Sequence, residues 1–414
     1  MFKKLFMLLL LVFPFNISAS SISGVRVGNL YFDSLEEAIS ISNDGDVIKL
    51  FSDFLLDDTL FIDKDITIDL NGKEIISDST LFNINGGKLK IVGSGILKEE
   101  KPYHGVIKVV GSDNYNDQVY SVVDISSDVL LEGWSGINVS HNNFKSYGVV
   151  INFKGKIKAI NDIDGDSGVG IYVNGNIQDK MKHPIINILD GAVIESSGEG
   201  LYIAGYSTFN IGKANITGED AGIGMKAGIL NINGASISCR GLDKTPTSGN
   251  NNGIKPSGAT FQFESNNGYA GDMEINIDGG NFSSKNSNVI YEYIGKGKKS
   301  LVKSINISDG IFISDKKDVF NFSDDFENSH SEFISGGSFS SNPNKFLKSN
   351  YGSSIIDDMY FVSSSVLKEV GFFNNNFSEN SNYFEIIGII FSCLIICIIM
   401  YFNRQKIKNY FNLL

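Results

Sequence analysis

Seven acidic residues offer the best chance of chemistry. Asp162, Asp164 and Asp166 alternate in "NDIDGDSG", and Glu195, Glu199, Glu219 and Asp220 recur at polar turns further on. Each of these turns leads into a short Gly-apolar phrase. If such turns stack, Asp164, Asp166, Glu195, Glu199, Glu219 and Asp220 become candidate catalytic carboxylates. A pair about 5–9.5 Å apart suits retaining or inverting glycoside hydrolysis. The register is imperfect, because aligning the glycines sets Glu199 against Val169 and Ala221. Solvated turn acids are the competing reading, since Asp and Gly favour such turns. Asp162, Asp164 and Asp166 also have the 1, 3, 5 spacing of a calcium loop. Position 6 is Ser167 rather than Gly, and position 12 is Val173 rather than Glu. The stretch therefore fails as an EF-hand and stays a candidate for a looser calcium turn. Calcium apart, no cofactor is expected.

Other reactive side chains are scattered. His104, His141, His183 and His330 show no ligand spacing. No P-loop, G-x-S-x-G or zinc signature is present. Trp134, with Tyr103 and Tyr120, would make a sugar-stacking platform; burial beneath a loop is the alternative. A formal charge of -12 argues against a nucleic-acid partner, which needs a basic patch. Cys393 and Cys397 lie in an apolar C-terminal run, and Cys239 stands alone. No disulfide framework is available, so packing must hold the chain.

Both ends carry targeting patterns. "MFKKLFMLLLLVFPFNISAS" sets Lys3 and Lys4 before an apolar run and small residues, the layout of a secretory signal cleaved after Ala19 or Ser20. Ile386 to Phe402 is uncharged and about long enough to cross a bilayer. Arg404, Lys406 and Lys408 follow it, which places the tail in the cytoplasm. The expected organisation is a signal peptide over 1–19, an N-terminal cap and first strands over 20–62, a repetitive body over 63–345, and a terminal cap and polar spacer over 346–383. A transmembrane helix over 384–402 and a basic tail over 403–414 complete it. The protein would sit in the plasma membrane with its ectodomain outside. The C-terminal layout resembles that of sortase substrates, but no LPxTG-like motif precedes the span.

The elements that must position any site are short and repeated. An apolar-Asn-apolar triplet centres on Asn83, Asn138, Asn152, Asn187, Asn210, Asn231, Asn276 and Asn306. Such alternation marks a half-buried strand, with Asn outward and able to form a hydrogen-bonded ladder. Gly170-Ile171, Gly200-Leu201, Gly222-Ile223 and Gly253-Ile254 open a second set. A third phrase, "INIDGGNFSS" at 275–284, returns with Ile307 and Phe312, then Ile334 and Phe339. Its isoleucines face inward, its glycines turn a corner and Phe282 fills the next face. Stacked strands of this kind share one interior. About ten to twelve rungs of roughly 20–30 residues each would make a body about 50 Å long. A β-sandwich is the alternative, without an account of the repeats.

The stretch "YFDSLEEAISISNDGDVIKL" contains an S-x-x-E capping box at Ser34 and Glu37 and an apolar stripe of Leu35, Ala38 and Ile39. "ITIDLNGKEI" follows as the next rung. With these, residues 25–345 resemble the right-handed parallel β-helix (pectin-lyase-like) proteins of bacterial surfaces. The resemblance implies an all-β, single-stranded right-handed parallel β-helix with an N-terminal capping helix, beside the one C-terminal transmembrane helix. It implies little about activity, because the class includes lyases, hydrolases and non-catalytic adhesins. Its lyases use acid-held calcium with a basic proton abstractor, often Arg, and here only Arg240 lies in the coil. The expected function is a non-catalytic membrane-anchored surface protein for adhesion or contact with glycans or a host surface. A tethered polysaccharide hydrolase or lyase using the 162–220 acids, and a calcium-dependent glycan-binding module, are the alternatives. Sites are expected where repetition breaks, at 98–147, 176–185 and 240–252.

Overall fold

The computed structural model describes residues 24–365 except 115, 117–119, 141–146, 161–166, 175–182, 247–255, 267, 270 and 296–298. The chain divides into units 1–364 and 365–414, and the β architecture belongs to the first. The signal segment, the polar spacer beyond 365, the apolar C-terminal run and the basic tail lie outside the described residues. Among the described residues, no helix is long and apolar enough to cross a membrane.

The described chain is all-β, with parallel strands in stacked sheets, a β-helix-like arrangement. Every pairing in a 10-stranded sheet is parallel. A 22-stranded sheet resolves into two parallel ladders. The first runs through Lys88–Val92, Ser121–Ile125, Val149–Phe153, Ile185–Ile188 and Thr208–Ile211. The second runs through Gly95–Glu99, Val129–Glu132, Lys156–Ala159, Val193–Ser196 and Asn215–Gly218. The two ladders merge where Gly228–Cys239, Met273–Ser284 and Val302–Ser314 pass through both as long strands. Each turn of chain thus supplies one short strand to each of three faces.

Register is set by which residues face inward. Ile151, Ile186, Phe209, Leu230, Ile275 and Ile305 align in one column of the first ladder, and all are buried. They belong to one continuous apolar core that runs from Val25 to Val362. "INIDGGNFSS" behaves as its pattern predicts: Ile275, Ile277 and Phe282 are buried and Asn276 is exposed. Its echoes keep register, with Ile307 beside Ile334 and Phe312 beside Phe339. The bend needs glycine. Gly280 has φ +132°, and a Cβ there would meet the Ala235 carbonyl oxygen at 2.4 Å. Beyond the bend, Phe261, Phe282, Phe312 and Phe339 form a column with centroids 5.3, 4.8 and 4.9 Å apart.

The ends are closed by antiparallel pieces. Val25–Val27 pairs antiparallel with both Leu30–Phe32 and Val47–Leu50. The helix Leu35–Ile41 packs Leu35, Ala38 and Ile39 into the core, as the stripe predicts. Its capping box is half made: Ser34 Oγ accepts from the Glu37 N–H at 3.3 Å, but the Glu37 carboxylate does not accept the Ser34 backbone N–H in return. At the other end Tyr351–Ile356 and Met359–Ser364 form a hairpin. The six-residue helix Asp324–Ser329 adds Phe326 to a cluster with Phe322, Phe333 and Phe346.

Three expectations need correction. The triplets do not share one register, because Asn83 and Asn138 belong to the 10-stranded sheet. Gly253-Ile254 lies outside the described residues, and Phe261 fills the register position after Ile171, Leu201 and Ile223. The 98–147 stretch is not irregular throughout, since Gly105–Val110, Ser121–Ile125, Val129–Glu132 and Ser135–Ser140 are all ladder members.

The phenylalanine column makes a direct test. Phe312→Ala should cost about 3–5 kcal/mol in urea unfolding, the range for truncating a buried aromatic. Ile313→Ala, on the outward face beside it, should stay within about 0.5 kcal/mol.

Candidate functional site

Of the sequence-predicted acids that are described, Glu199, Glu219 and Asp220 lie near enough to the buried Cys239 sulfur to act on it electrostatically. Asp162, Asp164 and Asp166 lie outside the described residues. Glu195 is exposed on the outer face of the second ladder, in register between Lys158 and Thr217. Glu199 opens a strand of the 10-stranded sheet and is buried, beside Ala221. Glu219 is exposed, and its backbone carbonyl accepts from Cys239 Sγ at 3.6 Å. Asp220 stands 3.5 Å from Lys244 Nζ. The glycine alignment holds, and it puts Glu195 on the second ladder and Glu199 on the 10-stranded sheet. Among the described residues, no group of three His, Cys, Asp or Glu could hold a metal ion.

Among the described residues, Cys239, His183 and His330 are in structural roles. Burial pushes the Cys239 thiol up to about 12, which leaves it protonated and unreactive at neutral pH. Arg240 is exposed, and its backbone carbonyl accepts from Asn286. His183 packs edge-on against Tyr206 and meets Thr208 Oγ1 at 2.6 Å. His330 stacks on Phe326. His104 is exposed, and His141 lies outside the described residues.

Of the aromatic trio, the structure joins two. Tyr103 and Trp134 meet at 5.8 Å with planes tilted by 47°. Tyr120 lies at another corner and donates to Asn85 Oδ1 at 2.9 Å. Beneath the aromatic pair is Glu99, which no sequence pattern marks. It ends a second-ladder strand at the position where the neighbouring rungs hold Ser77, Gly133 and Ala159. Its side chain is 3% exposed. Glu99 Oε2 accepts the Trp134 backbone N–H at 3.2 Å, whereas Oε1 has no hydrogen-bond partner. Burial, opposed by backbone hydrogen bonds from Trp134 and Lys101, raises the carboxyl to about 7.

The outer face of the first ladder carries a row of asparagines bonded side chain to side chain. Asn152 Nδ2 donates to Asp124 Oδ1 at 2.7 Å. Asn187 then donates to Asn152, Asn210 to Asn187, Asn231 to Asn210 and Asn276 to Asn231, each at 2.9 Å. Asn306 closes the row on Asn276 at 3.2 Å. Each link contributes about 0.5–1.5 kcal/mol and fixes the amide plane. An amide nitrogen has two N–H groups and its oxygen two lone pairs, so each amide within the row keeps one donor and one acceptor position for a ligand. An open groove of about 700 Å³ follows this row, lined by Asn187, Asn210, Asn231 and Asn276, with Lys154, Asp190 and Asp278 among its walls. The triplet makes the row legible in the sequence. The abundance of Asn throughout the chain hides its use as a surface.

No protein-family model, curated protein or solved structure matches the chain.

Glu99 predicts a pH effect of definite sign. A carboxyl raised from 4.5 to about 7 in the fold binds more protons folded than unfolded between those values. Its contribution to stability is therefore greatest below pH 4.5 and falls as pH rises to 7. The shift corresponds to about 3 kcal/mol. Glu99→Gln should be more stable than the parent at about pH 8 and should close much of that gap at about pH 4.5, read from urea midpoints at both values.

Proposed function

We propose that the protein is a membrane-anchored surface protein of a bacterium, whose β-helix-like body contacts an extended glycan through the asparagine row without cleaving it. The groove over the row carries this reading. Fixed amides repeat about every 4.8 Å along it, the distance between neighbouring strands. A polymer of hydroxyl-bearing units can exchange hydrogen bonds with each amide in turn. Neutral donors and acceptors suit a neutral or weakly charged glycan, and the walls carry both signs of charge.

Anchoring rests on the sequence: the secretory pattern at the start and the apolar Ile386–Phe402 run before a basic tail. The pectin-lyase-like resemblance rests on the 31–50 and 66–75 stretches and on the in-register rungs. The hydrolase alternative keeps Glu199, Glu219 and Asp220 as its described candidates, with Asp220 3.5 Å from Lys244 Nζ.

Binding of the detergent-purified full chain to a glycan array tests the reading. Asn210→Ala with Asn231→Ala should weaken binding about tenfold or more, the equivalent of two lost hydrogen bonds. The bound glycan should be recovered at its original length. Glycan shortening that Glu199→Gln abolishes would instead establish the hydrolase.

A further inference from the structure

The middle of the 10-stranded sheet is buried on both sides. Glu199–Ile203, Ala221–Met225 and Phe261–Ser265 are buried at every position. On their outer side, Val169, Tyr202, Ala204 and Ala221 form a second apolar cluster, with Tyr172 and Tyr269 packed on it. Within this cover sit three reactive side chains, Lys226, Glu264 and Asn266, all at 0% exposure. Met225 pairs with Phe263, so Lys226 and Glu264 follow one step on, on adjacent rungs. Lys226 Nζ stands 3.5 Å from Glu264 Oε1. Asn266 Nδ2 donates to the same oxygen at 3.3 Å. Glu264 Oε2 has no hydrogen-bond partner.

We propose that Lys226 and Asn266 join in an intramolecular amide bond, formed autocatalytically with Glu264 as proton carrier. An amine and a carboxamide held on one carboxylate oxygen, away from water, have the composition this reaction needs. The Lys226 ammonium passes a proton to Glu264, which removes both charges from a dry site. The neutral amine then attacks Asn266 Cγ, and the carbonyl π electrons move to Oδ1. That oxygen already accepts the Gly268 backbone N–H at 3.0 Å, a donor aimed where negative charge develops. Glu264 gives its proton to Nδ2 and takes one from the new Lys226–Cγ nitrogen. The Cγ–Nδ2 bond breaks, ammonia leaves, and Glu264 returns its last proton to form ammonium. The tyrosines hold the amine and exclude water: Lys226 Nζ lies 4.4 Å from the Tyr269 ring centroid and 5.6 Å from that of Tyr202.

The product would close the chain between Lys226 and Asn266 into a loop, including the 240–252 insertion. Such closure stabilises by restricting the unfolded chain, as a disulfide does, but it resists reducing agents. Cys239, the free cysteine among the described residues, cannot serve that purpose alone.

Peptide mass spectrometry of the purified, folded full chain decides the matter. The Lys226 and Asn266 peptides should appear as one branched species, lighter than the sum of the two by one ammonia. Glu264→Gln and Lys226→Arg should each return separate peptides of full mass. Folded parent protein that yields Lys226 unmodified and Asn266 as Asn or Asp, in separate peptides, overturns the proposal. Because the parent alone decides this, a variant that fails to fold leaves the test intact.

Discussion

Stacking of like positions on successive rungs is the interaction on which the rest depends. A strand of four or five residues buries two or three side chains, too few to be stable alone. Ile151, Ile186 and Phe209 become a core only because each lies in register on the next. A slip of one residue would turn every isoleucine outward and every asparagine inward. The apolar column and the asparagine row are therefore two sides of one constraint. The inward side supplies most of the stabilisation, and the outward side acquires a regular polar surface as its consequence.

That constraint creates a problem at each end, where a parallel ladder would present unpaired backbone groups to another chain. The two ends solve it with reversed direction. One strand at each end, Val25–Val27 and Met359–Ser364, runs antiparallel to the ladders and carries one further short strand outside it, so the parallel pattern of the rungs is interrupted at both ends. Phenylalanines fill the C-terminal interior, where Phe322, Phe326, Phe333 and Phe346 meet at ring distances of 4.0 to 5.9 Å.

Legibility follows the period of two. "INIDGGNFSS" declares its inward residues, its bend and its partners, because alternation and echo are local properties of the chain. Gly253-Ile254 has the right letters, yet Phe261 holds the rung, since an insertion of variable length separates letters from register. Glu99 is illegible for another reason. Its burial depends on the small residues Ser77 and Gly133 on neighbouring rungs, and no local pattern announces a space made by residues so far away in sequence. Lys226 is hidden likewise: "GIGMKAGIL" reads as a strand followed by a solvated lysine, and only the tertiary cover of Tyr202 and Tyr269 removes it from water.

The contrast between faces explains where chemistry and recognition can separate. The first ladder keeps its outer face open, so its polar groups need only water or a ligand. The 10-stranded sheet is covered, so each polar group there must find a partner within the protein. Gln262 does so, accepting from Ser257 through both its backbone N–H and its hydroxyl. Glu264 satisfies one oxygen and leaves the other unpaired, at a cost of about 1–3 kcal/mol. A fold held by repetition has no structural need for a lysine, a glutamate and an asparagine in the same dry space, since alanine already fills the Lys226 position on the preceding rung, at Ala204. Departure from the repeat at three buried residues joined through one Glu264 oxygen is what distinguishes this place from the exposed acids at the turns.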